Sequence, residues 1–215
     1  MESQQLTRFI RHEKGQFTQR QGYNGLEWEA AVETAARDKY DTPSPALFMS
    51  YALHVRNAKQ RKATLCDHMG EPLNNEEVDA LFAYVFAPAT DNEGIHVWLN
   101  GRCVQGSGFK GLDLETRSYR FEDNKTMITL TRNPLKRCLD QVGFADLDSL
   151  NEQGLPTRKS ERQVYVPGKN IFFAPLSENS VSGFGAGSGG VVLGCDGDPR
   201  NSDACLGVLA YAEST

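Results

Sequence analysis

Short apolar runs of strand length recur along most of this 215-residue chain, and Asp, Asn, Gly and Pro separate them. These runs predict strands at residues 46–55, 62–66, 78–86, 95–99, 117–121, 126–131, 163–166, 170–174, 191–193 and 206–211. Many short strands at modest spacing favour an antiparallel all-β barrel or sandwich.

Two segments have a helical pattern instead. Residues 27–37 combine helix-forming residues with an apolar stripe, although residues 32–37 also suit a short strand. Residues 133–143 predict a helix, because Asn133 is suited to cap it and Pro134 to occupy its first position. Apolar residues then follow at helical spacing. The chain is therefore expected to contain one helix inserted among its strands.

Composition and charge exclude several classes of protein. The chain is 39% hydrophobic and 24% charged, and its net charge of −5 argues against a general affinity for nucleic acid. No apolar run approaches the roughly 18 residues that a membrane span needs. The first 20 residues lack the apolar stretch of a secretory signal, so a cytoplasmic location is expected. Five cysteines without a C-x-x-C pair, and Cys66 with His68 alone, predict neither a metal site nor a cofactor.

The glycine-rich segment at residues 182–190 is the most informative part of the sequence. Residues 185–190 satisfy the bare G-x-G-x-x-G pattern of a dinucleotide-binding loop. Such a loop opens a helix that holds the pyrophosphate, whereas residues 191–194 are typical of a strand. Nucleotide binding is therefore the weaker interpretation of this segment.

The same glycines surround Ser188 directly before a strand, as a nucleophilic serine in a tight turn requires. The G-S-G-G turn, the apolar strand after it and the second strand at 206–211 resemble those of the chymotrypsin-like serine peptidases. Upstream, apolar residues lead into His54, and Asp79 begins an alternating apolar segment. Both segments resemble the catalytic histidine and aspartate regions of that family, and they come in its order.

The resemblance covers residues 32–211 and implies an all-β fold of two six-stranded antiparallel β-barrels (chymotrypsin-like) with one inserted helix. It divides the chain into a polar N-terminal segment, a first barrel lobe that carries His54 and Asp79, and a second barrel lobe that carries the helix and Ser188. These parts are expected at residues 1–25, 26–95 and 96–215.

The implied activity is that of a serine endopeptidase that works through an acyl-enzyme intermediate. By resemblance, Ser188 attacks the peptide carbonyl, His54 accepts its proton and Asp79 orients the imidazole. The oxyanion hole would be formed by the backbone N–H groups of Ala186, Gly187 and Ser188. The residues that would line the substrate pocket are Ser182, Ala210, Tyr211 and Ala212. His96 is an alternative base, but no comparable acidic segment follows it.

The partner that this activity implies is a protein or peptide substrate, including a specific partner or a polyprotein, with a small, apolar or uncharged side chain at the cleaved position. No nucleic acid or membrane partner is expected. The absence of a signal suggests a protease that acts inside a bacterial cell or, for a phage or virus, in the host cytoplasm. The alternative from another class is a non-catalytic binding or structural module of the same fold.

Overall fold

The computed structural model describes residues 9–13, 15–91, 93–122 and 125–213. The helices of these residues are α1 (Trp28–Arg37), α2 (Pro45–Lys59) and α3 (Asn75–Phe86). The strands are β1 (Phe9–His12), β2 (Gly15–Thr18), β3 (Cys66–Asp67), β4 (His96–Gln105), β5 (Leu112–Glu122), β6 (Lys125–Pro134), β7 (Gly143–Asp146), β8 (Asn170–Ala174), β9 (Val181–Gly187), β10 (Gly190–Gly197) and β11 (Tyr211–Glu213).

The strands form two sheets. One sheet has four strands in the order β11-β2-β1-β3, and the other has seven in the order β6-β5-β4-β9-β10-β8-β7. Neighbouring strands are antiparallel except for the parallel pair β8 and β10. The predominantly β character of the chain is thus confirmed. Within the described residues neither sheet closes on itself, so the two six-stranded barrels are not confirmed.

The strand predicted at residues 46–55 is wrong, because this segment lies in α2. Ser44 caps the helix, with its Oγ 3.3 Å from the backbone N of Leu47, and Pro45 occupies the first helical position. The buried residues Phe48, Ala52 and Val55 recur at i, i+4 and i+7, which is the period of one helix face. His54 therefore lies on a helix and not at the end of a strand.

The strand predicted at residues 78–86 is wrong for a similar reason, because it lies in α3. Asn74 and Glu77 form a capping box: the Asn74 side chain accepts from the Glu77 N–H, and the Glu77 carboxylate accepts from the Asn74 N–H, both at 3.0 Å. This reciprocal pair starts a helix that continues to Phe86. Asp79 consequently lies on the exposed side of α3.

The helix predicted at residues 133–143 does not form. Asn133 and Pro134 end β6, and Gly143 begins β7. Between them, backbone hydrogen bonds to distant segments replace helical ones: Leu135 donates to the Leu112 carbonyl at 3.1 Å, and Leu139 donates to the Pro156 carbonyl at 2.8 Å. Leu135 and Cys138 are buried in this irregular segment and Val142 is exposed, so the spacing of the apolar residues does not mark a helix face.

The remaining predictions have mixed outcomes. The helix at 27–37 is confirmed as α1, and the strands at 95–99, 117–121, 126–131, 170–174 and 191–193 correspond to β4, β5, β6, β8 and β10. The run at 163–166 is not a strand, and the runs at 62–66 and 206–211 contribute only their last residues to β3 and β11. β1, β2, β7 and β9 were not predicted.

The seven-stranded sheet has two different faces. Its core face packs against α2 and α3 in the larger hydrophobic cluster, where the rings of Phe48 and Phe184 lie 4.6 Å apart. This cluster contains residues from both predicted lobes. The opposite face, here called the open face, is covered at one end by α1, which buries Trp28 against Trp98 and Val181. None of α1, α2 and α3 has the length and apolar content needed to cross a membrane.

Candidate functional site

The strand register brings glycines and aromatic residues together in rows across the open face. One row places His96 of β4 opposite Gly185 of β9, which is opposite Val192 of β10. Val192 in turn aligns with Phe172 of β8, and Phe172 with Phe144 of β7. Because successive side chains of a strand point to opposite faces, all these residues share one face.

A parallel row lies two residues further along the strands. Trp98 is opposite Gly183, and Gly183 is opposite Gly194. Both rows thus have an aromatic ring on β4 and glycine on β9; the second row also has a glycine on β10, which is opposite Ala174 of β8. Because glycine has no side chain, a groove lies along the middle of the open face between the larger side chains.

The resulting groove, here called the glycine trough, has a volume of about 550 Å³. Gly183, Gly185 and Gly194 form its floor, His96 and Trp98 one wall, and Phe144, Phe172 and Val192 the other. Leu206 and Asn201 complete the lining near the first wall, because residues 206–208 pair beside the first half of β4. This volume is in the usual range of small-molecule sites, which are concave and mostly apolar.

The floor glycines differ in what a side chain would meet. A Cβ on Gly194 would have Asp196 Oδ1 as its nearest contact, at 3.4 Å, so the space above this residue is open. A Cβ on Gly185 would lie 3.0 Å from Nδ1 of His96. Gly185 therefore lets the imidazole approach the floor, whereas Gly194 leaves room that nothing in the described chain fills.

The walls of the trough are held in place by specific contacts. The Trp98 indole N–H donates to the Leu26 carbonyl at 3.2 Å, and this side chain is only 3% exposed. The rings of Phe144 and Phe172 meet edge to face, with centroids 5.5 Å apart and an angle of 84° between planes. These side chains are thus ordered without a ligand.

His96 is the polar group closest to the floor. Its Nε2 lies 3.0 Å from the backbone carbonyl oxygen of Asp91, so Nε2 carries the proton that the carbonyl accepts. In the neutral ring Nδ1 is then an acceptor, and it is the nitrogen that faces Gly185. The trough thus has one imidazole acceptor among mainly apolar surfaces.

Acidic residues surround this end of the trough. Hydrogen bonds from the backbone N–H and the hydroxyl of Ser188, at 2.7 and 2.8 Å, lower the pKa of Asp91 below its usual value. Hydrogen bonds from Cys205 likewise lower the pKa of Asp203. These carboxylates make the rim negative.

The predicted catalytic residues have other partners. Ser188 lies in the turn between β9 and β10 and donates its hydroxyl hydrogen to Asp91. His54 Nε2 lies 3.1 Å from the Thr64 carbonyl, and Asp79 forms an ion pair with Lys59 at 2.7 Å. No hydrogen bond of the described residues joins any two of the three predicted catalytic side chains. The structure does not assemble them into a triad.

The predicted oxyanion hole is occupied by protein acceptors. The Ala186 N–H donates to the Ile95 carbonyl at 2.7 Å, and the Ser188 N–H donates to the Asp91 carboxylate at 2.7 Å. Gly187 pairs with Gly190 across the β9–β10 turn. Because two of the three donors are already bonded within the fold, this turn does not present a free oxyanion hole.

The residues that were predicted to line the substrate pocket lie in different parts of the structure. The Ser182 hydroxyl is buried against Cys195 Sγ at 3.6 Å. Tyr211 and Ala212 belong to β11 in the four-stranded sheet, where the Tyr211 ring lies 5.1 Å from that of Phe17. Ala210 is buried just before them and accepts a hydrogen bond from the Thr18 N–H. These residues do not line one pocket beside Ser188.

The residues that form the glycine trough were not predicted from the sequence as a site. One signal was present: Gly183, Gly185 and Gly187 stand at alternate positions, which is the period of one strand face. For metal ions, the described part of the chain contains no suitable group of three or more His, Cys, Asp or Glu residues.

Comparisons with protein-family models, with curated proteins and with solved structures found no match to this chain. The resemblance to the chymotrypsin-like peptidases stays a prediction from three short segments. Function is therefore argued from the site itself.

Proposed function

We propose that this protein is a non-catalytic binding module whose glycine trough takes one planar, largely apolar small molecule. The observation that carries the proposal is the position of Gly183, Gly185 and Gly194 between aromatic walls on one sheet face. Glycine inside a strand lowers stability by about 0.5–1 kcal/mol relative to alanine. Gly183 and Gly185 make room for the Trp98 and His96 rings of one wall, and the space above Gly194 is open. A ligand surface explains this open position in the floor.

The shape of the trough supports a planar ligand. β4 and β8 are separated by three strand spacings, or about 14 Å between backbones, and the floor between them lacks Cβ atoms at the glycines. A flat system of two or three fused rings can lie on such a floor with its edges against Trp98 and Phe172. Aromatic walls favour π-systems through edge-to-face and offset contacts.

The charges around the trough support a neutral or cationic ligand. Asp196 lines the trough, and the carboxylate of Asp91 accepts hydrogen bonds from Ser188 in the turn whose glycines also line it. An anion would be repelled by this rim, whereas a ring with a hydrogen-bond donor can bond to His96 Nδ1.

The proposal is tested by titration with the neutral planar dye 6-propionyl-2-(dimethylamino)naphthalene, followed by dye emission and tryptophan quenching. We expect saturable binding of one dye per chain. Gly194→Val places a side chain in the open space of the floor, so we expect binding at least about 10-fold weaker, or about 1.4 kcal/mol. Because valine suits strands better than glycine, the melting temperature should stay equal or rise.

Ser118→Val is the matched control, since it adds the same side chain at an exposed position of β5 outside the trough. We expect it to leave dye binding unchanged. Equal binding by wild type and Gly194→Val, or no saturable binding of neutral and cationic dyes of this size, would show that the trough is not a ligand site.

A further inference from the structure

The outer edge of the two-stranded arm formed by β5 and β6 pairs with no other strand among the described residues. β4 pairs with β5 only at Leu112–Glu115, so the rest of β5 is paired with β6 alone. β6 is the last strand of its sheet, and all ten of its residues are exposed. A two-stranded ribbon by itself is marginally stable in water.

This edge lacks the features that normally protect a strand from pairing with another chain. The other sheet edges are short, since β7, β11 and β3 have four, three and two residues. The β5–β6 register continues without a bulge from Asp113 opposite Pro134 to Glu122 opposite Lys125. Proline occurs only at the end of β6, and charges only at Lys125 and Arg132. Protected edges usually have bulges, internal prolines or inward charges.

Apolar side chains are concentrated on the same arm. Phe121, Ile128 and Leu130 lie on the open face and are 39–48% exposed, and Met127 on the opposite face is 53% exposed. α1 covers the neighbouring part of β5, where Arg117 stacks on Trp28 and forms an ion pair with Glu29. Ile128 and Leu130 lie beyond this cover, next to the free edge.

We propose that β6 pairs antiparallel with β6 of a second copy of this chain, around a two-fold axis at Thr129. In this register each chain places Ile128 opposite Leu130 of the other, Met127 opposite Thr131, Thr126 opposite Arg132 and Lys125 opposite Asn133. Apolar residues meet apolar residues, and no like charges are opposite each other. With the axis moved to residue 130, Ile128 would instead face Arg132.

The geometry of such a pair also fits the arm. A two-fold axis perpendicular to the joined sheet puts both open faces on the same side. The two β5 strands are then three strand spacings apart, about 14 Å, with one α1 over each. Ile128 and Leu130 of both chains fill the gap between the two helices. The pairing therefore buries the exposed apolar residues and satisfies the unpaired backbone groups of β6 at once.

A cysteine at the axis tests both the partner and the register. Opposed residues of antiparallel strands have Cα atoms about 4.5–5.5 Å apart, within the range that a disulfide spans. Thr129→Cys, made with Cys205→Ser to remove an exposed thiol, is expected to give a covalent dimer on mild oxidation. Thr131→Cys in the same background is the matched control, because its two copies would be about 14 Å apart along the strands.

Thr129→Lys tests the pairing without cysteines. It places two ammonium groups opposite each other. We therefore expect the dimer dissociation constant, measured by analytical ultracentrifugation, to rise at least about 10-fold. Ser118→Lys adds the same charge on β5, directly opposite Thr129 but one strand further from the axis. Its two copies would be about 14 Å apart, so it should leave the dimer intact. A wild-type chain that is monomeric from micromolar to millimolar concentration would overturn the proposal. Equal disulfide cross-linking of the Thr129→Cys and Thr131→Cys variants would also overturn it. Pairing of β6 only with strands of other proteins would do the same.

Discussion

At the scale of single residues, the environment of Ser188 decides its chemistry. Its hydroxyl donates to Asp91, whose pKa is held below its usual value mainly by the Ser188 N–H. A general base works best when its pKa is near the working pH, so this carboxylate is a poor acceptor for the serine proton. This glycine-rich turn resembles the turn of a nucleophilic serine, but here the Ser188 hydroxyl and N–H bind the segment around Asp91.

We predict that a fluorophosphonate probe does not label Ser188 under native conditions, because no imidazole bonds to it in the described residues and Asp91 is a weak base. Mass spectrometry of the treated protein checks this, with heat-unfolded protein as the background. Stoichiometric labelling at Ser188 that disappears in His54→Ala would contradict the binding module and support the peptidase.

The same contact predicts a change in the titration of Asp91. Ser188→Ala removes the hydroxyl donor and keeps the backbone one, so the pKa of Asp91 should rise toward its usual value. An NMR titration of the carboxyl carbon measures it. His54→Ala is the control and should leave that pKa unchanged, since His54 bonds to Thr64. An unchanged pKa in Ser188→Ala would contradict this account of Asp91.

At the scale of elements, side-chain caps mark where α2 and α3 begin. We predict that Asn74→Ala lowers the free energy of unfolding by about 1 kcal/mol, because the Glu77 N–H loses its acceptor and the capping box is broken. Urea unfolding measures this change. Asn75→Ala, one residue later and exposed, should have a much smaller effect. Equal effects of both variants would mean that the box does not stabilise α3.

The sequence predicted elements where composition and period agreed, as in α1 and in β8, whose predicted bounds match the observed ones. It failed for α2 and α3, because an apolar run of about ten residues suits a buried helix as well as a strand. The Ser44-Pro45 start and the Asn74 and Glu77 spacing were the signals that distinguish them. β9 was not predicted, because glycine inside a strand weakens it and its pattern therefore does not indicate a strand.

The trough could be predicted less well than the fold. Its floor and walls come from β4, β7, β8, β9 and β10, and their side chains meet only through the register between strands far apart in the chain. Alternating glycines indicate a strand face without side chains, but they do not identify the rings on either side. Register depends on the whole buried face, which a local pattern does not contain.

At the scale of the whole molecule, one hydrophobic core contains residues of both sheets. The pKa values of the buried cysteine thiols depend on this core remaining closed. Burial raises the pKa of Cys103 to about 12 and that of Cys138 to about 11, and burial also raises the pKa of Cys195. The larger hydrophobic cluster includes Cys138 and Cys195 together with Ile10 and Phe17 of the four-stranded sheet. Loss of this core would therefore return the pKa of these thiols to the ordinary value of 9.0.

This burial predicts that the protein loses stability in alkali. Above pH 9 the unfolded chain releases the thiol protons that the folded chain retains, so the free energy of unfolding falls as pH rises toward the folded pKa values. Urea unfolding at several pH values between about 8 and about 10.5 measures this slope. Cys195→Ala should reduce the slope, because it removes one proton that the folded chain retains. Parallel curves for wild type and Cys195→Ala would mean that the Cys195 thiol ionises as readily in the folded chain as in the unfolded one, which a closed core does not allow.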